Sequence, residues 1–125
     1  VPKDPNRVAL LLETTSTPSE RVNGLLATGL TKEHIAMACG VSFRVVSKWQ
    51  LGKSGPHATQ FQRLDDLRSL CLFAIQVSNH DLKLATGLLL RLNAPSLVAE
   101  ERFQEAHKAL LTLQQRRRQK QAAQI

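Results

Sequence analysis

The sequence predicts an all-α chain, a compact helical bundle followed by C-terminal helices. Three observations predict it. Apolar residues recur at steps of three and four along most of the chain, and no strand is evident. Aromatic residues are only 4% and Tyr is absent, so the core must be mostly Leu, Ala and Val, which favours helices over strands. Cap and stop residues fall where the periodic runs begin and end. With 125 residues and 42% hydrophobic content, the chain can bury one small core, as one domain or one domain with an appendage.

Asp4-Pro5 opens a short helix in residues 1–16, with Asp4 as cap and Pro5 in the first turn. Val8, Leu11 and Leu12 give it an apolar side, and residues 14–17 break it. Thr17-Pro18-Ser19-Glu20 is a capping-box signature, and the helix it starts packs Val22, Leu25 and Leu26 before stopping at Gly29. Thr31 caps a helix that ends at Gly40, and Ser42 caps one that ends at Gly52. From Ala58 to Val77 a longer helix places Phe61, Leu64, Leu67, Cys71, Ala74 and Ile75 on one face.

Beyond residue 77 the expected region is a helical extension over 78–115 and a basic, flexible tail over 116–125. Ser78-Asn79-His80-Asp81 is a turn, and Asp81 caps a helix from Leu82 to Leu92. That helix is apolar nearly all round, so it is buried on several sides or covered by a partner. Asn93-Ala94-Pro95 breaks it, and Ser96 caps a last helix from Leu97 to about Gln119. There Ala99, Phe103, Ala106, Leu110 and Leu113 form a short heptad seam, which packs on its own domain or joins two chains.

The stretch from Lys32 to Leu51, KEHIAMACGVSFRVVSKWQL, carries the most information. Ala36 is small enough for a tight crossing of two helices, and Gly40 tolerates a left-handed turn. Ile35, Cys39, Val41, Val46 and Trp49 supply an inner apolar side. Ser42, Phe43, Arg44, Ser47 and Lys48 fall on the outer side of the second helix. This is the pattern of a helix-turn-helix.

Charge points the same way. The net charge of +7 is uneven: residues 31–63 carry five basic and one acidic side chain, and 111–125 carry four basic and none acidic. Residues 1–30 sum to zero and 64–110 to −1. A polyanion partner explains that asymmetry better than solubility does. A membrane partner is not expected. No apolar run approaches the ~20 residues needed to span a bilayer, and neither basic segment has a bulky apolar face for a membrane surface. The N-terminal VPKDPNRVALLLE lacks the pattern of a signal peptide. The expected location is therefore the cytoplasm.

No catalytic, metal or cofactor site is expected. Cys39 and Cys71 are 32 positions apart on apolar helical positions and read as buried thiols. The four histidines match no metal spacing, and no Gly-rich phosphate cradle occurs. Asp65-Asp66 and Glu100-Glu101 are helix neighbours that point about 100° apart, so neither pair shares a site, and both read as solvated.

The stretch from Lys32 to Leu51 resembles the helix-turn-helix of the Cro- and Xre-type repressors of phages and bacteria. The segment Gly52-Lys53-Ser54-Gly55-Pro56 resembles the loop that follows their recognition helix. The resemblance covers roughly residues 18–75. It implies a sequence-specific, double-stranded DNA-binding regulator at the nucleoid of a bacterium or phage-infected host, most simply a repressor that blocks polymerase by occupying an operator. Base contacts then fall to Ser42, Phe43, Arg44, Ser47 and Lys48, with the Arg44 fork suited to the O6 and N7 of guanine. Phe43 contacts a thymine methyl or folds back into the core. Phosphate contacts fall to Thr31, Lys32, Lys53 and Ser54, and to Arg116, Arg117 and Arg118 if the tail reaches DNA. The family often carries Gln at the start of the first motif helix, where Lys32 and Glu33 stand here. Lys32 can replace that phosphate contact and Glu33 opposes it. A homodimer through Leu82–Leu113 would set two half-sites about 34–36 Å apart. The alternative is an antitoxin-type protein whose C-terminal helices cover a toxin.

Overall fold

The computed structural model describes residues 4–14 and 17–123. Among them there are eight helices and no strand: α1 (Pro5–Thr14), α2 (Pro18–Thr28), α3 (Lys32–Cys39), α4 (Phe43–Gln50), α5 (Ala58–Val77), α6 (Leu82–Arg91), α7 (Ala94–Ala99) and α8 (Phe103–Ala123). The fold is all-α, as the composition and periodicity predict. Asp4 Oδ1 accepts from Asn6 N at 3.0 Å, Thr17 Oγ1 from Glu20 N at 3.2 Å, and Asp81 Oδ1 from Leu84 N at 3.1 Å, each satisfying a free amide of a first helical turn. The break expected at residues 14–17 includes Thr15 and Ser16, which lie outside the described residues.

Helix α5 is the axis of the bundle. Helices α1, α2, α3, α6, α7 and α8 all pack on it, and α4 is carried on α2 and α3. Of the apolar face expected on α5, Leu64, Leu67, Cys71, Ala74 and Ile75 are buried and Phe61 is half-buried, and Leu70 and Val77 outside that set are buried too. A helix surrounded by six others buries more than one stripe, which period alone does not reveal.

The C-terminal region departs from expectation. The last helix is not continuous and does not start at a Ser96 cap. Helix α7 begins after Asn93, in the left-handed region at φ 56°, and ends before Glu101, at φ 60°. Arg102 N donates to Leu97 O at 2.7 Å and Glu101 N to Val98 O at 3.0 Å, the paired closure that ends a helix on a left-handed residue. The sequence signal for such a stop is Gly or Asn, and Glu at that position concealed it. Arg102 pairs with Glu100 and Glu105, tying the corner to the start of α8 and holding the Glu105 carboxyl below the usual range. The seam is divided as well: Ala99 belongs to α7, while Ala106 and Leu110 of α8 are buried within the chain.

The acidic pairs are not simply solvated. Asp65 is half-buried and joins Arg21 of α2 to Arg68 of α5, the latter at 2.8 Å. Arg68 also donates to Leu12 O at 3.1 Å, and Arg21 lies over the Phe61 ring at 4.5 Å. Glu101 pairs with Arg63 at 3.6 Å. On α6, Leu82, Ala85, Leu88 and Leu89 are buried, whereas Leu84 and Leu90 stay 40% and 38% exposed.

Leu70→Ala is expected to destabilise the chain by about 2–5 kcal/mol, read as a lower urea midpoint. Leu51→Ala, at a side chain 67% exposed, should stay within about 0.5 kcal/mol. Burial pushes both thiols up from 9.0 to about 12. The native state therefore favours neutral thiols. Their contribution is full below pH 9.0 and is lost as pH rises towards 12, because the unfolded chain releases those protons first. Urea midpoints measured across that range should fall, and fall less in Cys39→Ala/Cys71→Ala.

Candidate nucleic-acid interface

Helices α3 and α4 are joined by a closure that the sequence dictates locally. Gly40 sits at φ 70°, Val41 N donates to Ala36 O at 3.0 Å, and Gly40 N to Met37 O at 3.3 Å. The left-handed dihedral is what calls for glycine here; a Cβ would lie 3.1 Å from Arg63 Nη1, the end of a flexible side chain that can shift by a few tenths of an ångström. Ala36 is buried at the crossing. Ser42 Oγ accepts from Val45 N at 3.4 Å and starts α4. Its end repeats the closure, with Gly52 at φ 74° and Lys53 N donating to Lys48 O at 2.9 Å.

The two sides of α4 are as distinct as the pattern predicts. Val46 and Trp49 are buried at 0% and 1%. Ser42, Phe43, Arg44 and Lys48 are exposed, and Ser47 and Lys32 are half-buried. Arg44 and Lys48 form one ridge at spacing four, and Phe43 and Ser47 form the next. Phe43 does not fold into the core; it is 50% exposed, with Lys32 Nζ 5.4 Å from its ring centroid. That cation–ring contact partly offsets the exposure of an aromatic. Lys32 Nζ also donates to Ser47 Oγ at 3.3 Å. Ser47 Oγ thus accepts from within the chain, and its O–H is left to donate outward. Lys32 belongs to the α4 surface, beside the residues expected to touch bases.

Thr31 caps α3: its Oγ1 accepts from His34 N at 3.3 Å, and His34 Nδ1 accepts from Thr31 N at 3.1 Å. This reciprocal cap uses His where Glu or Gln is usual, so sequence reading passed over His34. Lys53 and Ser54 are exposed in the loop after α4. Arg116 and Arg118 are exposed on α8, which packs on α5 and α7. Among the described residues no ion pair joins either of them to α3 or α4. The Arg117 side chain lies outside what the structure describes.

Three residues that sequence reading missed fix the angle of α4. Ser19 Oγ donates to Gln50 O at 2.6 Å, and Gln50 Nε2 donates to Asn23 Oδ1 at 2.9 Å. These bonds bind the C-terminal end of α4 to α2 across 31 and 27 positions, and no local pattern announces them. Among the described residues no group of three or more His, Cys, Asp or Glu is placed to hold a metal ion, and no helix is long and apolar enough to cross a membrane. Comparison with protein-family models, curated proteins and solved structures finds no match to this chain.

Gly40→Ala is expected to lower stability by about 1–2 kcal/mol, the cost of a left-handed residue with a Cβ. Gly40→Asn should cost less if backbone strain dominates, because Asn tolerates that region. Thermal unfolding of both variants checks it.

Proposed function

We propose that this protein is a sequence-specific DNA-binding regulator that lays α4 in the major groove. The observation that carries the reading is the outer face of α4. It is a short helix whose inner side is locked by Val46 and Trp49 and whose exposed side presents a guanidinium, an ammonium, a hydroxyl donor and an aromatic ring. No acidic residue lies within α4. A helix fits the major groove, where each base pair shows a distinct pattern of donors and acceptors. Arg44 reads guanine through its two acceptors, Ser47 donates to a base edge, and Phe43 meets a thymine methyl. Lys48 lies a turn further on, towards the backbone. Lys53 and Ser54 hold phosphates and so fix register. A bound operator excludes polymerase, which makes repression the simplest outcome.

One module specifies few base pairs, so two copies on paired half-sites are the natural arrangement. The part-exposed Leu84 and Leu90 of α6 favour a partner at that helix. The partner is a second copy in this reading, and a toxin in the alternative one.

The test is selection of bound duplexes from a random library at about 150 mM salt, where exposed charges are screened beyond ~8 Å. A discrete motif is expected. Arg44→Ala should relax preference at one base position, at a cost of about 1–3 kcal/mol. Lys53→Ala should weaken all sequences alike and flatten the salt slope by about one unit. An unchanged motif with Arg44→Ala would overturn the assignment of α4.

A further inference from the structure

The direction of α8 separates the two basic regions. Glu101, just before α8, pairs with Arg63 near the start of α5. His107, further along α8, stacks on Phe73 near the end of α5, with ring centroids 4.6 Å apart. Helix α8 therefore runs in the same sense as α5. From that stack α5 continues for four residues and α8 for sixteen. At 1.5 Å per residue α8 overshoots the end of α5 by about 18 Å. Helix α4 sits on α2 and α3, and those two pack on α5, whereas α8 packs on α5 directly.

The overshooting arm carries Arg116, Arg118 and Lys120, all exposed. No ion pair within the chain engages them among the described residues. Residues 111–125 contain no acidic residue, and Gln114 to Lys120 contain no apolar one. At 100° per residue, Arg116 and Lys120 share one flank and Arg118 points from the opposite flank. Charges on opposite flanks suit a helix lying between two phosphate ridges, as in a major groove about 12 Å wide. A membrane surface would require an apolar face beside the charges, which the arm lacks.

We propose that the arm of α8 is a second DNA-binding surface that grips the phosphates of a different duplex, so that the protein bridges two DNA segments. This rests on the reading of α4 as the helix that occupies the first duplex.

Duplex capture tests it. Beads carrying a duplex of the selected sequence are loaded with the full chain, washed, and offered a fluorescent duplex of unrelated sequence. Wild type should retain the second duplex. R116A/R118A/K120A should load the beads with unchanged sequence preference, yet retain on the order of ten-fold less of the second duplex. Equal retention by the triple variant overturns the proposal, because bridging then comes from two α4 helices in a dimer. Weakened loading of the first duplex also overturns it, because the arm then lies on the same DNA as α4. Arg44→Ala distinguishes the two readings. Failure of the α4 assignment appears as unchanged sequence preference in that variant, whereas failure of the arm appears as unchanged capture in the triple variant.

Discussion

Burial of α5 is the constraint on which the rest of the structure depends. Leu64, Leu67, Leu70, Cys71, Ala74 and Ile75 are all at 0% exposure, and six helices supply the atoms that cover them. Interiors packed to crystal density leave little freedom of position, so α5 fixes where α2 and α3 stand. Helix α4 inherits its place from those two, through Val46 and Trp49 and through the bonds from Ser19 and to Asn23. Its exposed side can therefore vary in chemistry without disturbing the core.

The half-buried ion pairs lie around this axis. Asp65 joins Arg21 to Arg68, and Arg68 also reaches the backbone of α1. The arrangement ties three helices at one level of α5. Its worth lies in geometry rather than in large net stability, since partly exposed pairs gain little from Coulomb attraction in water. A similar tie at the other corner, Arg63 to Glu101, links α5 to the break between α7 and α8.

These ties also change what the charge pattern means. Five basic residues in 31–63 suggest a strong cationic surface. Arg63 pairs with Glu101, and Lys32 is drawn to Ser47 and Phe43. Arg44, Lys48 and Lys53 remain exposed around α4. The second basic cluster stands beyond the end of α5, so the two regions are separate surfaces rather than one continuous field.

Local chemistry was legible in the sequence. Thr17, Thr31, Ser42 and Asp81 cap the helices expected of them, and Gly40 and Gly52 close α3 and α4, because caps and left-handed turns depend on a few consecutive residues. The division of α4 into Val46 and Trp49 inside and Arg44 and Lys48 outside follows from helical period alone. The tertiary structure decided what depends on distant partners. Leu70 is buried because helices surround α5, and Asp65 is paired because Arg21 of α2 passes beside it. The break at Glu101 was hidden because its left-handed residue is not the Gly or Asn that the geometry prefers. Above all, the sequence placed positive charge at residues 116–120, but the side of the molecule on which it lies depends on how α8 packs along α5.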